Sequence, residues 1–273
     1  MTHKRIWITF FVLLHVLGFT YDDLARDYFL EPTPLQAPSY PDFQDNPYLD
    51  ERMRRLMAPH LLPIDHPIKK KLDAIFQNMR ATENTQSLMD AGFTIIASVT
   101  GSYVTVARHP AIPGYVFKLY LDSEMRNKDG IANCEWLTTR CIGAAKIRKV
   151  IKQKKIRFFT IPDKWLYVLP LTPASSSPKP EPVLLVATDM ELESTEMTEF
   201  AWKHYIKPKH LDELYAILKH GYGTIGLVRN IPYTKKGVFA FTDTEYPERN
   251  LNLEKVKPYL SKDMQRYWDT LTE

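Results

Sequence analysis

The amino-acid sequence predicts an α+β fold in which an antiparallel five-stranded sheet precedes a smaller, mainly helical part. Three observations lead there. Three β-branched and aromatic runs, Phe93–Val99, Tyr103–Ala107 and Tyr115–Tyr120, are separated only by turn signals at Thr100-Gly101-Ser102 and from His109-Pro110 to Gly114, the pattern of a meander. One long helical pattern follows from about Gly130 to Gln153, with Trp136, Leu137, Cys141, Ala144, Ala145 and Ile147 at its apolar positions. Two further strand-like runs, Trp165–Pro170 and Val183–Ala187, then flank a loop containing Ser175-Ser176-Ser177-Pro178.

Before the sheet, residues 1–18 carry Lys4 and Arg5 ahead of an apolar run from Ile6 to Phe19 that only Thr9 and His15 interrupt. A basic start, a short apolar middle and the small Gly18 resemble a secretory signal peptide, so the protein is expected to be exported. The 14-residue run falls short of the roughly 18–20 residues that span a bilayer, which favours cleavage after Val16-Leu17-Gly18. A membrane tether made by uncleaved residues 6–19, or a buried N-terminal helix, are the alternatives. Residues 19–67 hold 8 of the 20 prolines, between Pro32 and Pro67, show no helical or alternating periodicity except in a short stretch around Leu49–Met57, and read as an extended arm that Tyr28, Phe29, Tyr40, Phe43 and Tyr48 dock in part. A helical lead-in covers 68–91, with Ile68, Leu72, Ile75, Phe76 and Met79 at helical spacing and a stop at Gly92. The sheet and long helix take 92–190. From 191 to 273 the pattern is helical, as in the stripe Leu211, Leu214, Tyr215 and Leu218, with one late strand, Gly237–Thr242, running into Asp243-Thr244-Glu245.

A composition of 44% hydrophobic and 25% charged residues in 273 excludes collagen-like, coiled-coil and multi-span membrane classes. The net charge of +4 is too small to argue for nucleic acid, and Lys4 and Arg5 supply half of it. Cys134 and Cys141, seven residues apart on one helix, sit about 10 Å apart along its axis and are expected to be free thiols.

The residues that carry chemistry lie in the third strand, the long helix and the late hairpin. Val116-Phe117-Lys118 places a lysine near the end of the third strand, and Glu135 follows 17 residues later in the helix. Asn230 and Asp243 bracket a hairpin with a Lys-Gly turn, and two oxygen ligands at adjacent strand ends can share one hard cation. Together with the element order, these motifs resemble the protein-kinase and choline/aminoglycoside-kinase superfamily over about residues 92–247. Asp243-Thr244-Glu245 is closer to the Asp-x-Glu of choline and aminoglycoside kinases than to Asp-Phe-Gly. The resemblance implies a two-lobe protein-kinase-like fold with a reduced helical C-lobe. It also implies ATP held by Lys118 with Glu135 behind it, a nucleotide-covering loop at Gly101 and Ser102, and Mg2+ on Asn230 and Asp243.

Two departures decide the expected activity. Where the family keeps its catalytic Asp, five positions before Asn230, stands Ile225, and no carboxylate occurs from Leu214 to Asn230. The nucleotide-covering loop keeps a single glycine, Gly101. The expectation is therefore an exported kinase-like binding protein of pseudokinase type, with a protein partner or a nucleotide and without efficient phosphoryl transfer. The alternatives are an atypical phosphotransferase using Asp243 or Glu245, and a non-nucleotide interaction module at a membrane surface. The last rests on Lys146, Arg148, Lys149, Lys152, Lys154, Lys155 and Arg157, seven cations in twelve residues, which read either as a solvated helix end or as a contact for an anionic partner. No aromatics interleave them as in single-strand nucleic-acid binders. The acidic run Asp189, Glu191, Glu193, Glu196 and Glu199 reads as a solvated helix start, and His204, His210 and His220 have no zinc-ligand spacing.

Overall fold

The computed structural model describes residues 40–99, 103–124, 130–246 and 248–273. The leader at 1–18, the arm up to residue 39 and the loop residues Gly101 and Ser102 lie outside the described residues. In chain order the arm forms α1 (Pro41–Gln44) and α2 (Glu51–Met57), and the lead-in forms α3 (Lys69–Phe76) and α4 (Thr85–Asp90). Strands β1 (Thr94–Val99), β2 (Val104–Arg108) and β3 (Tyr115–Leu119) follow, then the long helix α5 (Asn133–Lys154). After it come β4 (Phe159–Thr160), β5 (Lys164–Val168), β6 (Val183–Thr188), α6 (Thr195–His204), α7 (Pro208–Leu218), α8 (Leu227–Asn230), β7 (Phe239–Ala240) and α9 (Lys262–Thr272).

The class is mixed α+β, and the main sheet is five-stranded and antiparallel, in the order β1-β2-β3-β6-β5. Because β6 inserts between β3 and β5, Lys118 lies opposite Val106 on one side and Leu185 on the other, at the centre of the sheet. Leu185 in turn lies opposite Leu166, so Lys118, Leu185, Leu166 and Lys164 share one face of the pleat.

That face packs on the first half of α5 through Trp136, Leu137 and Cys141, and on the arm through Tyr40, Phe43, Met53 and Met57. The opposite face, with Phe117, Leu119, Leu184 and Val186, is covered by Leu72, Phe76 and Leu88 of α3 and α4. The second half of α5, at Ala144, Ile147 and Val150, belongs to a third cluster with Trp202, Leu214, Phe239, Phe241 and Trp268. A 22-residue helix spans about 33 Å, enough to join the sheet to the helical cluster. Among the described residues, no helix is long and apolar enough to cross a membrane.

From Tyr40 onward the arm is helical and docked rather than extended. Asp50 caps α2 by accepting from the Met53 amide at 2.7 Å, and Tyr40, Phe43, Leu49, Met53 and Met57 are buried. The prolines do not prevent this, because Pro41 and Pro59 fall in first turns, where a missing N–H costs nothing. Tyr48, by contrast, stays exposed.

Candidate functional site

The late hairpin forms in one continuous register. Asn230 O accepts from the Thr242 amide at 2.9 Å, Pro232 O from Ala240 N at 2.9 Å, and Thr234 N donates to Val238 O at 3.0 Å. Gly237 closes the turn at φ 77°, a left-handed conformation that costs glycine little. Parallel pairing of β7 with β4 ties the hairpin to the chain leaving α5.

This hairpin delivers Asp243 and Glu245 against α5 at Gly143. A Cβ on Gly143 would lie 2.4 Å from Thr244 O, so the missing side chain is what lets the helix and the 242–245 segment meet. Thr244 locks the contact by donating its hydroxyl to Arg140 O at 2.6 Å.

Three cations converge on the segment. Lys118 Nζ donates to Thr242 O at 3.1 Å, while Lys164 Nζ donates to Thr242 O at 3.2 Å and Thr244 Oγ1 at 2.7 Å. The Arg140 guanidinium bridges the two acids, with Nε 3.3 Å from Asp243 Oδ1 and Nη2 3.3 Å from Glu245 Oε1. Arg140 is 2% exposed in its side chain, Glu245 9% and Asp243 30%, so only Asp243 offers a carboxylate to solvent. Burial works to raise the Asp243 carboxyl, but the charges of Lys118, Arg140 and Lys164 outweigh it and hold it well below the usual carboxylate range. Burial pushes Lys118 down, and it pushes Lys164 well below the ordinary lysine value with help from the neighbouring Lys118 charge. Two lysines and an arginine thus surround two carboxylates in a largely buried cluster, with Arg140 as the residue that pairs with both acids.

Comparison of the chain with family models, with curated proteins and with solved structures finds no match in any of the three.

The structure brings together Lys118, Asp243 and Glu245 and sets Asn230 beside them through its backbone pairing with Thr242. The Asn230 side chain turns the other way, donating Nδ2 to Thr224 Oγ1 at 3.1 Å. Glu135 does not partner Lys118. It is held by Arg52 of α2 through two contacts, 3.1 and 2.8 Å. The reason is helical phase. Residues 135 and 140 differ by about 140° around the helix and about 7.5 Å along it, so the α5 face that meets the hairpin belongs to Arg140. Ile225 packs against the apolar cluster, and Thr224 closes its loop on Gly226 N and Asn230.

Sequence reasoning missed Arg140 and Lys164. Lys164 carries a signal in retrospect, because it opens a strand otherwise made of apolar and aromatic residues, whereas Arg140 carries none, because α5 is buried without a break from Asn133 to Ala144. Elsewhere, Cys134 and Cys141 are free and buried, and burial pushes both thiols up to about 12. His204, His210 and His220 lie against Phe200, Phe158 and Tyr222 respectively, and among the described residues no group of three or more His, Cys, Asp or Glu can hold a metal ion.

Proposed function

We propose that the chain is an exported kinase-like binding protein of pseudokinase type, which holds a protein partner or a nucleotide and does not transfer phosphoryl groups efficiently. The N-lobe spans 92–190 and the reduced helical C-lobe 191–273, behind the signal at 1–18. The element order supports this: three strands, a long helix, two strands and then helices.

The observation that carries the reading is Arg140 bridging Asp243 and Glu245. In an active enzyme of this kind, Asp243 would offer its oxygens to a divalent cation. Here a fixed guanidinium already pairs with one of its oxygens, so a metal ion would have to share the carboxylate with a buried, five-donor cation. Ile225 stands where a base would accept the substrate proton, so chemistry lacks an acceptor as well. What remains is Lys118 beside Lys164 and Arg140, N–H donors suited to phosphate oxygens, with Arg140 supplying in place the charge that Mg2+ supplies elsewhere.

Thermal-shift titration tests this. ATP is expected to raise the melting temperature equally in Mg2+ and in EDTA. A stabilisation that requires Mg2+ would overturn the reading, and no shift at millimolar nucleotide would remove the nucleotide and leave a protein-interaction module.

A further inference from the structure

We propose that the C-terminal end of α5, the loop after it and the first turn of α7 form a docking face for an anionic lipid bilayer. Of the seven cations in the run, the structure engages two. Lys146 pairs with Glu248 and lies over the Tyr222 ring, and Arg148 pairs with Asp163 at 2.8 Å. Lys149, Lys152, Lys154, Lys155 and Arg157 are exposed, and none forms an ion pair with a carboxylate among the described residues.

Lys209, outside the run in sequence, joins them in space. It lines a shallow cleft of about 360 Å³ with Lys154, Lys155 and Arg157. The two carboxylates on that cleft are already engaged. Glu213 accepts from the amides of Arg157 and Phe158 at 3.0 and 2.8 Å, and Asp212 accepts from the Tyr267 hydroxyl at 2.8 Å.

A solvated helix end does not account for this cluster. The α5 dipole amounts to about half an elementary charge, an order of magnitude less than the cations gathered there. Lys155 adds a second argument. It closes α5 at φ 53°, with Ile156 N bonded back to Ile151 O at 3.0 Å, a helix stop at which glycine is the favoured residue. The fold asks for no lysine at that position.

The chemistry fits lipid headgroups better than nucleic acid. The nearby Phe158 ring stacks on His210 at 3.9 Å and carries Lys209 6.0 Å from its centroid, so it offers no free face for a base. The cations gather at one helix end instead of following a helix face into a groove. Clusters of four to eight Lys and Arg on a surface are what the potential of an anionic leaflet attracts.

The test is co-sedimentation of the full chain with phosphatidylcholine vesicles and with phosphatidylcholine–phosphatidylglycerol vesicles. Binding is expected to require phosphatidylglycerol and to collapse between physiological salt and about 1 M, as the screening length falls from about 8 to about 3 Å. Each cation removed is expected to cost about fivefold, so Lys154→Ala with Lys155→Ala lowers partitioning roughly 25-fold, and Lys154→Arg with Lys155→Arg keeps it. Any contribution from the N-terminal segment, where Lys4 and Arg5 precede the apolar run, is the same in Lys154→Ala with Lys155→Ala as in wild type. Equal binding to both vesicles, an alanine pair that binds like wild type, an equal loss from Lys235→Ala with Lys236→Ala on the hairpin turn, or duplex DNA displacing the vesicles would each overturn the proposal.

Discussion

Replacing Arg140 by Met removes the guanidinium and keeps most of the buried side-chain volume. Asp243 then keeps the charges of Lys118 and Lys164, neither of which bridges it to Glu245. Taking one partner from a buried ion pair costs about 3–5 kcal/mol. Asp243 is 30% exposed and keeps two cationic neighbours, which places the loss near the lower end, about 3 kcal/mol. For a domain of this size that is a fall of roughly 6–12 °C in melting temperature. Urea denaturation followed by tryptophan fluorescence reads it, and the cycle with Asp243→Asn isolates the pair. Because the neutral amide no longer needs the guanidinium, the double variant is expected to be more stable than the sum of the singles predicts by at least about 1 kcal/mol. A loss below about 1 kcal/mol for Arg140→Met, or strict additivity in the cycle, would refute the bridging role.

Three further outcomes follow from other parts of the structure. Gly143→Ala gains about 1 kcal/mol of helix propensity, yet its Cβ would meet Thr244 O at 2.4 Å, so denaturation is expected to show a net loss of about 1–3 kcal/mol; a neutral or stabilised variant would mean that α5 and the hairpin do not approach so closely. Lys155→Gly relieves a left-handed residue and is expected to raise stability by about 1 kcal/mol while weakening vesicle binding, a trade that fails if the melting temperature drops. Burial raises the Glu181 carboxyl to about 7, beside Asn133, whose amide donates to it at 2.6 Å. The folded state therefore holds a proton that the unfolded chain has released, so stability from this group is greatest below pH 4.5 and falls as pH rises towards and through 7, by about 2–3 kcal/mol. Glu181→Gln keeps the bond to Asn133 and is expected to flatten that slope in melts taken from pH 5 to 8.

The elements with strong local periodicity were legible in the sequence. The runs Phe93–Val99, Tyr103–Ala107 and Tyr115–Tyr120 became Thr94–Val99, Val104–Arg108 and Tyr115–Leu119, and the long helix shifted by only a few residues to Asn133–Lys154. The spacing from Asn230 to Asp243 anticipated the hairpin because a Lys-Gly turn and an apolar return strand are both local signals. What escaped depends on long-range partners. The two-residue strand β4 exists only because it pairs with β7, whose Phe239–Ala240 lies inside the late strand expected at Gly237–Thr242. Outside the periodic stretch around Leu49–Met57 the arm looked extended because its prolines conceal first-turn positions, and the Glu51–Met57 helix gains its stability from burying Met53 and Met57 against the sheet. The pairing expected between Lys118 and Glu135 failed for a related reason. A helix buried on all sides over its first three turns carries no amphipathic phase, so sequence alone does not say which residue faces the hairpin.

The most direct test of the pseudokinase reading is turnover of Mg-ATP by the full chain, with and without Asp243→Ala. The arrangement of Arg140 on Asp243 and Glu245, with Ile225 in place of a base, predicts the same background rate for both proteins. Turnover by the wild type that disappears in Asp243→Ala would contradict it and assign Asp243 a catalytic role.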